Sequence, residues 1–200
     1  DGYQAQRSYS LLSPPQRTGL YELGIERLDD GEVSTWFHDK AQHGETIEVL
    51  GPVGGHFVLD ESNTRPALLI GGGSGVVPLL SMAAQRVGAY SQAHTTLLVA
   101  ARHLDEVLLW PTLQRWEAFT PRFRSRLALS RDTCAPRAQD HVGRIDGADV
   151  AWALQQLGDV ATESAQVFIC GRNDFVESIV HMVTGLNVPE VSIRTERFGS

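Results

Sequence analysis

The chain is poor in cysteine: Cys134 and Cys170 are the only two among its 200 residues. Two thiols are too few to hold an iron–sulfur cluster or a structural zinc within this chain. Far apart in sequence, they read as free thiols of a reducing compartment rather than as a disulfide framework. Long apolar runs are also lacking, and none nears the roughly 20 residues that a membrane-spanning helix needs. No signal peptide opens the chain, so the expected location is the cytoplasm. Positive charge is not in excess either. A formal net charge of −7 argues against nucleic acid or an anionic membrane as the main partner. Low-complexity tracts and internal repeats are absent, and no metal site is expected.

What is present falls into two halves with different periodicities. Near the start, RSYS (7–10) alternates, placing Arg7 and Tyr9 on one side of an extended strand and Ser8 and Ser10 on the other. YELGIERL (21–28) and ETIEVL (45–50) continue the period of two, as half-buried antiparallel strands do. Between them VSTWFHDKA (33–41) takes helical spacing, with Ser34 as the expected N-cap. The polar ESNTRP (61–66) reads as a linker, dividing the chain into domains over 1–62 and 63–200. Beyond it, continuous apolar strands at 67–70, 95–101, 122–129, 165–170 and 190–198 are separated by helical segments at 78–87, 111–119, 148–157 and 174–183. That alternation specifies a parallel sheet covered on both faces, which binds ligands at the carboxyl ends of its strands.

Several of those ends carry chemistry. GGGSGVVP (71–78) follows a buried strand and opens a helix, a context in which glycines let backbone approach a phosphate at the helix N-terminus. A tight turn that needs glycine only for its geometry is the other reading. No G-K-[ST] follows, which argues against a Walker loop. AARH (100–103) ends with Arg102 and His103 where a reader of unphosphorylated ribose often has an acid. LSRD (129–132) places Ser130 and Arg131 at the next tip, where they could fork onto a phosphate or lie in a solvated loop. CGRNDF (170–175) brings Cys170 and Gly171 to another tip, and a buried cysteine is usually only a small hydrophobe. Glu196 and Phe198 lie at the end of the last strand, where a terminal Phe is more often a packing plug.

Together and in this order, these segments resemble the ferredoxin–NADP reductase superfamily, flavin reductases that include the reductase components of aromatic-ring oxygenases. RSYS is similar to the R-x-Y-[ST] flavin signature, GPVGGHF (51–57) to the G-P-x-G-x-F turn, and GGSGVVP to G-G-x-G-x-x-P. CGRNDF is similar to C-G-x-x-x-F and the ERFG tail to the closing E-x-F. The resemblance covers essentially the whole chain. It implies an antiparallel FAD-binding β-barrel, here incomplete at its N-terminus, followed by a doubly wound α/β NAD(P)-binding domain. It further implies that Arg7 pairs with the FAD pyrophosphate, Tyr9 lies against the flavin, and Ser10 bonds near its reactive nitrogen. Val33 and Ser34 would complete the pyrophosphate site. Gly72, Gly73, Ser74, Gly75 and Pro78 would form the NAD(P)H loop. Cys170, Gly171, Glu196 and Phe198 would surround the nicotinamide, with Ser10, Cys170 and Glu196 the residues nearest the chemistry. Ser130 and Arg131, assisted by Arg102, would hold the extra phosphate of NADPH, with NADH as the other nucleotide in play.

The implied activity passes electrons from NAD(P)H through FAD to a one-electron carrier, an iron–sulfur protein or an oxygenase component. A flavin-binding electron-transfer or regulatory subunit that never meets NAD(P)H is one alternative. A nucleotide-binding module without redox activity is another. The basic run RFRSRLALSR (122–131) could dock an acidic carrier or be a solvated strand face. Two departures stand out. Val77 occupies a position where many members carry Thr. Only DGYQAQ precedes RSYS, where the family has about three strands, so the chain is expected to be a fragment. Flavin binding would then be its weaker function and nucleotide binding its robust one.

Overall fold

The computed structural model describes residues 4–15, 19–60, 62–158 and 161–198. The second half forms as its apolar runs require. Six strands, β1 (Ala67–Gly72), β2 (Thr95–Ala101), β3 (Phe123–Leu129), β4 (His141–Val142), β5 (Gln166–Gly171) and β6 (Ile193–Arg197), make one parallel sheet. Their order is β4-β3-β2-β1-β5-β6. The helices are α1 (Glu32–Asp39), α2 (Val76–Gly88), α3 (Trp110–Phe119), α4 (Gly147–Gln155), α5 (Ala161–Ser164) and α6 (Asn173–Gly185). Alternate residues of the central strands point to opposite faces. Leu69, Leu97 and Phe168 meet α2 and α3 in one core layer, while Leu68, Leu98 and Val167 meet α4 and α6 in the other. Each fully buried Leu contributes roughly 1.5–3 kcal/mol over an exposed one. The chain leaves β1 for β2 on one side and returns as β5 on the other, so a crevice opens at the tips of β1 and β5.

The first half departs from the expected strands. Within 4–60 the described residues form one antiparallel bridge, Leu11 with Leu23. Beside it the Leu12 N–H donates to Glu22 O at 2.7 Å. The apolar positions read as an inner face stay open to solvent, with Tyr21 64% and Val49 72% exposed. Period two specifies which face of a strand is apolar, but the hydrogen bonds must come from neighbouring strands. Helix α1 also starts earlier than expected, and its N-cap is Gly31, not Ser34. The buried Ser34 hydroxyl instead closes the turn before the helix, accepting from Leu28 N–H and donating to Gly31 O, each at 3.2 Å.

Contacts across the 61–66 segment join the halves. Leu12, Phe57 and Leu59 enter the core layer of α2 and α3, with the Phe57 ring edge-on to Phe168 at 5.4 Å. Ser81 Oγ on α2 donates to Ser13 O at 2.9 Å, and Arg194 on β6 donates to Val58 O at 3.3 Å. Gly24 packs against Val77, which is 3% exposed. A β-branched apolar side chain at position 77 thus serves this seam, where a threonine hydroxyl would be buried.

Candidate functional site

The crevice at β1 and β5 is built by a short turn. β1 ends at Gly72, a 3-10 turn covers Gly73–Gly75, and α2 begins at Val76. Gly73 has φ +57, a conformation that favours glycine, and it lies exposed at the tip. Gly75 is glycine for another reason: an added Cβ would sit 2.6 Å from both Cys170 C and Gly171 N. The turn therefore presses directly on the end of β5. No side chain caps the start of α2, which leaves the positive end of its dipole facing the crevice. Pro78 is the third residue of α2, within the first turn where no helical donor is lost. Ser74 lies half-buried in the turn itself.

Cys170 and Gly171 meet β6 in register, Cys170 opposite Glu196. Burial, then the nearby Glu196 carboxylate, pushes the Cys170 thiol well up, so the group stays a neutral thiol rather than a nucleophilic thiolate. Gly171 O accepts from Phe198 N–H at 3.0 Å, and the Phe198 ring packs on the α2 core layer. The Phe175 ring, from the first turn of α6, closes against Gly72 and Gly171. His56 faces Glu196 from the GPVGGHF turn: burial raises the Glu196 carboxyl and the His56 charge opposes this. Sequence reasoning quoted the segments holding His56 and Phe175 without assigning either residue a part. His56 acts on a strand remote in sequence, whereas Phe175 ends the C-G-x-x-x-F segment and packs on Gly171, four residues before it, as well as on Gly72.

A carboxyl raised by burial holds its proton better folded than unfolded. Its stabilising contribution is complete below the ordinary carboxylate range and is lost as pH rises through the folded value. Glu196→Gln should therefore melt higher than the parent at pH 7.5 and level with it near pH 4, about the unperturbed value for Glu. Equal melting temperatures at both pH values would mean that the carboxylate is fully solvated.

The tips of β2 and β3 carry Arg102, Ser130 and Arg131, and the first of them is already paired. Arg102 is held by Glu106 in the following turn, through Nε–Oε2 at 3.1 Å and Nη2–Oε1 at 2.9 Å. Ser130 Oγ lies 3.4 Å from Ala101 O, and the Arg131 N–H donates to Arg102 O at 2.9 Å. The exposed Arg131 guanidinium makes no hydrogen bond or ion pair among the described residues. Asp132 accepts from His103 Nδ1 at 2.8 Å and Leu104 N–H at 2.9 Å. The His103 bond holds its carboxyl below the usual range. His103, Asp105, Trp110 and Asp132 line an open cleft of about 590 Å³ here. The basic run 122–131 divides: Arg122 and Arg131 stay exposed, while one arginine of β3 is drawn inward. Arg126 turns inward onto the buried Asp149 at 2.9 Å, and Arg122 meets His94 at 2.7 Å.

On the other side of the seam, Tyr9 packs edge-on to Phe37 of α1 at 6.0 Å, and burial raises its phenol. The fold thus brings RSYS beside the helix that holds Val33 and Ser34. Arg7 is exposed, with its guanidinium donating to Gln6 O at 2.7 Å among the described residues, and Ser10 and Val33 are half-buried. These residues fit an FAD: among the described residues, a guanidinium without a carboxylate partner stands near an aromatic side chain and a short helix. The glycine turn fits a nicotinamide dinucleotide, since its open N-terminal backbone adjoins a small neutral thiol.

A parallel sheet with a glycine turn at its switch point, seamed to a segment bearing RSYS, defines a dinucleotide-binding oxidoreductase. The model of the oxidoreductase NAD-binding domain matches residues 69–181, and that of the oxidoreductase FAD-binding domain matches residues 1–58. The chain belongs to the ferredoxin–NADP reductase superfamily of FAD-dependent NAD(P)H oxidoreductases. It is 29% identical to ferredoxin–NADP reductase B of Sorangium cellulosum, covering 98% of this chain and 80% of that protein. A flavohemoprotein of Bacillus subtilis is also 29% identical, over 98% of this chain and 47% of its own length. The glycine betaine monooxygenase reductase subunit of Pseudomonas aeruginosa is 23% identical, over 100% and 53%. The chain thus spans about half the length of these last two relatives. The FAD/NAD-binding domain of a nitric oxide dioxygenase from Vibrio cholerae superposes with a TM-score of 0.83 at 20% identity, over 99% of this chain and 79% of that one. Among the described residues no helix is long and apolar enough to cross a membrane.

Proposed function

We propose that the protein oxidises NADPH through FAD and hands single electrons to a separate iron–sulfur protein or oxygenase component. Bound FAD supplies the redox chemistry, taking a hydride from the reduced nicotinamide and releasing electrons one at a time. The observation that carries the reading is the pressing of the glycine turn onto Cys170 and Gly171, beside the half that bears RSYS. In this reading the α2 N-terminus and Gly73 bind the pyrophosphate of the nucleotide. Cys170, Gly171 and Phe198 would border the nicotinamide ring. Ser10 and Glu196 hold hydrogen bonds at the reacting atoms. Arg7, Tyr9 and the start of α1 orient the flavin. The names of the Sorangium and Pseudomonas relatives support a carrier or oxygenase acceptor.

The purified protein should be yellow and should bleach when NADPH is added without oxygen. A colourless protein that cannot be reconstituted with FAD would sink the reading. NADPH is preferred in this reading because Arg131 offers an uncommitted fork for the extra phosphate. Arg131→Ala should therefore raise the KM for NADPH by about tenfold or more, on the scale of one lost charge-assisted bond, and leave the KM for NADH nearly constant. Steady-state kinetics with both nucleotides decides it, and an unchanged ratio means the phosphate lies elsewhere.

A further inference from the structure

We infer that Arg137 is a positioning residue that straps the 130–140 loop to the sheet edge and so sets where Arg131 stands, next to the cleft-lining Asp132. This rests on the proposed phosphate role of Arg131. Strand β4 has only two residues and covers just Ala128 and Leu129 of β3. Next to that short pairing, the β3 edge is completed by side chains. Glu117 Oε1 accepts from Ser125 N–H at 2.6 Å, and Asp140 Oδ1 accepts from Leu127 N–H at 2.9 Å. Arg137 ties these groups together. It forks onto Asp140 at 2.8 and 2.7 Å, pairs with Glu117, and donates to Ser125 Oγ at 3.2 Å and Ser125 O at 3.3 Å.

A guanidinium has five N–H donors, and each of the five bonds takes one. Arg137 therefore has no donor left for a nucleotide, and its influence on one must pass through the loop. Its plane lies over Trp110 at 4.5 Å, and Trp110 lines the same cleft as Asp132. Asp132 fastens the other end of the loop to His103 and Leu104. The loop is thus pinned at 132 and at 137, and Arg131 projects from just outside the first pin. Lysine offers three donors from a single atom, so it cannot reproduce the fork.

Cys134 lies exposed between the pins, while Cys170 is buried. A maleimide spin label will therefore report the loop selectively. In Arg137→Lys the label should become more mobile, and the KM for NADPH should rise about tenfold, as slight misplacement of a binding group does. The kcat at saturating NADPH should stay within about twofold, and the KM for NADH should move less. Trp110→Leu, which leaves no buried charge unpaired, should act in the same direction with a smaller change. General damage to the fold would instead lower kcat and affect both nucleotides alike. The inference is overturned if label mobility is unchanged in Arg137→Lys, or if the loop loosens while the KM for NADPH holds. If Arg131→Ala proves silent, the phosphate reading fails on its own account. The strap itself is then judged by label mobility alone.

Discussion

Gly75→Ala should lower the melting temperature by roughly 6–12 °C and remove NAD(P)H oxidation. The added methyl would have to sit 2.6 Å from two backbone atoms of Cys170 and Gly171. Neither can swing aside as a side-chain end could, because both belong to β5, bonded in register to β1 and β6. Overpacking a rigid site costs about 1–3 kcal/mol and occasionally more, and backbone neighbours place this case at the upper end. For a chain of this size each kcal/mol moves the midpoint by about 2–4 °C. Relief comes only by lifting the glycine turn from β5, which separates the α2 N-terminus from the Cys170 region. Activity should then fall further than stability. Gly88→Ala, at the other end of α2, has open space around the new methyl. It should raise the midpoint slightly, as helix-compatible glycine replacements do by about 0.4–1 kcal/mol. Calorimetry on the pair tests opposite signs within one helix, and a parent-like midpoint for Gly75→Ala would refute the close approach.

Asp149→Ala should be the most destabilising single change on the α4 face, by about 3–5 kcal/mol. Its side chain is 2% exposed and faces Arg126, 18% exposed. It accepts from His141 Nδ1 at 2.7 Å and from Asp146 N–H at 3.0 Å, closing the capping box of α4. Arg126 also lies over the Trp152 ring at 5.1 Å, so its guanidinium has no short way back to water. Removing the carboxylate would strand that charge and open the cap together. Asp149→Asn keeps the shape and an acceptor and should cost about half as much. The double change Arg126→Met with Asp149→Leu should recover much of the loss, since an apolar pair of similar volume avoids both desolvation terms. Denaturant unfolding of the three variants orders them. A double variant as unstable as Asp149→Ala would place the effect in the cap rather than in the stranded charge. His141, Asp146 and Asp149 also bring three donor atoms within 4.8 Å of one another, but Arg126 already supplies the positive charge there.

The two halves of the chain were not equally legible. Strands β1, β2 and β5 are buried on both faces, so they read as unbroken apolar runs such as ALLI and TTLLVAA. The glycine turn was legible because strand, glycines and helix follow within eight residues. Strand β4 escaped notice, since His141–Val142 is too short to carry a period. Ser34 looked like an N-cap by residue type, but Gly31 takes that place, because the serine hydroxyl is used by the turn before it. The strands expected at 21–28 and 45–50 show how far a period of two reaches: it marks an apolar face but supplies no partner.

The sequence by itself determined the parallel sheet, the crevice at its switch point and the set of motifs that mark a flavin- and nicotinamide-dependent reductase. These rest on burial and on turns, which are written in neighbouring residues. Only the tertiary structure decided which basic groups remain available. Arg102, Arg126, Arg131 and Arg137 look alike in the sequence. Folding places a carboxylate beside the first, second and fourth and leaves the third exposed and without a carboxylate among the described residues. Two of these carboxylates lie within four residues of their arginines, Glu106 and Asp140, but Asp149 and Glu117 reach Arg126 and Arg137 from 23 and 20 residues away, brought there by the packing of strands and helices.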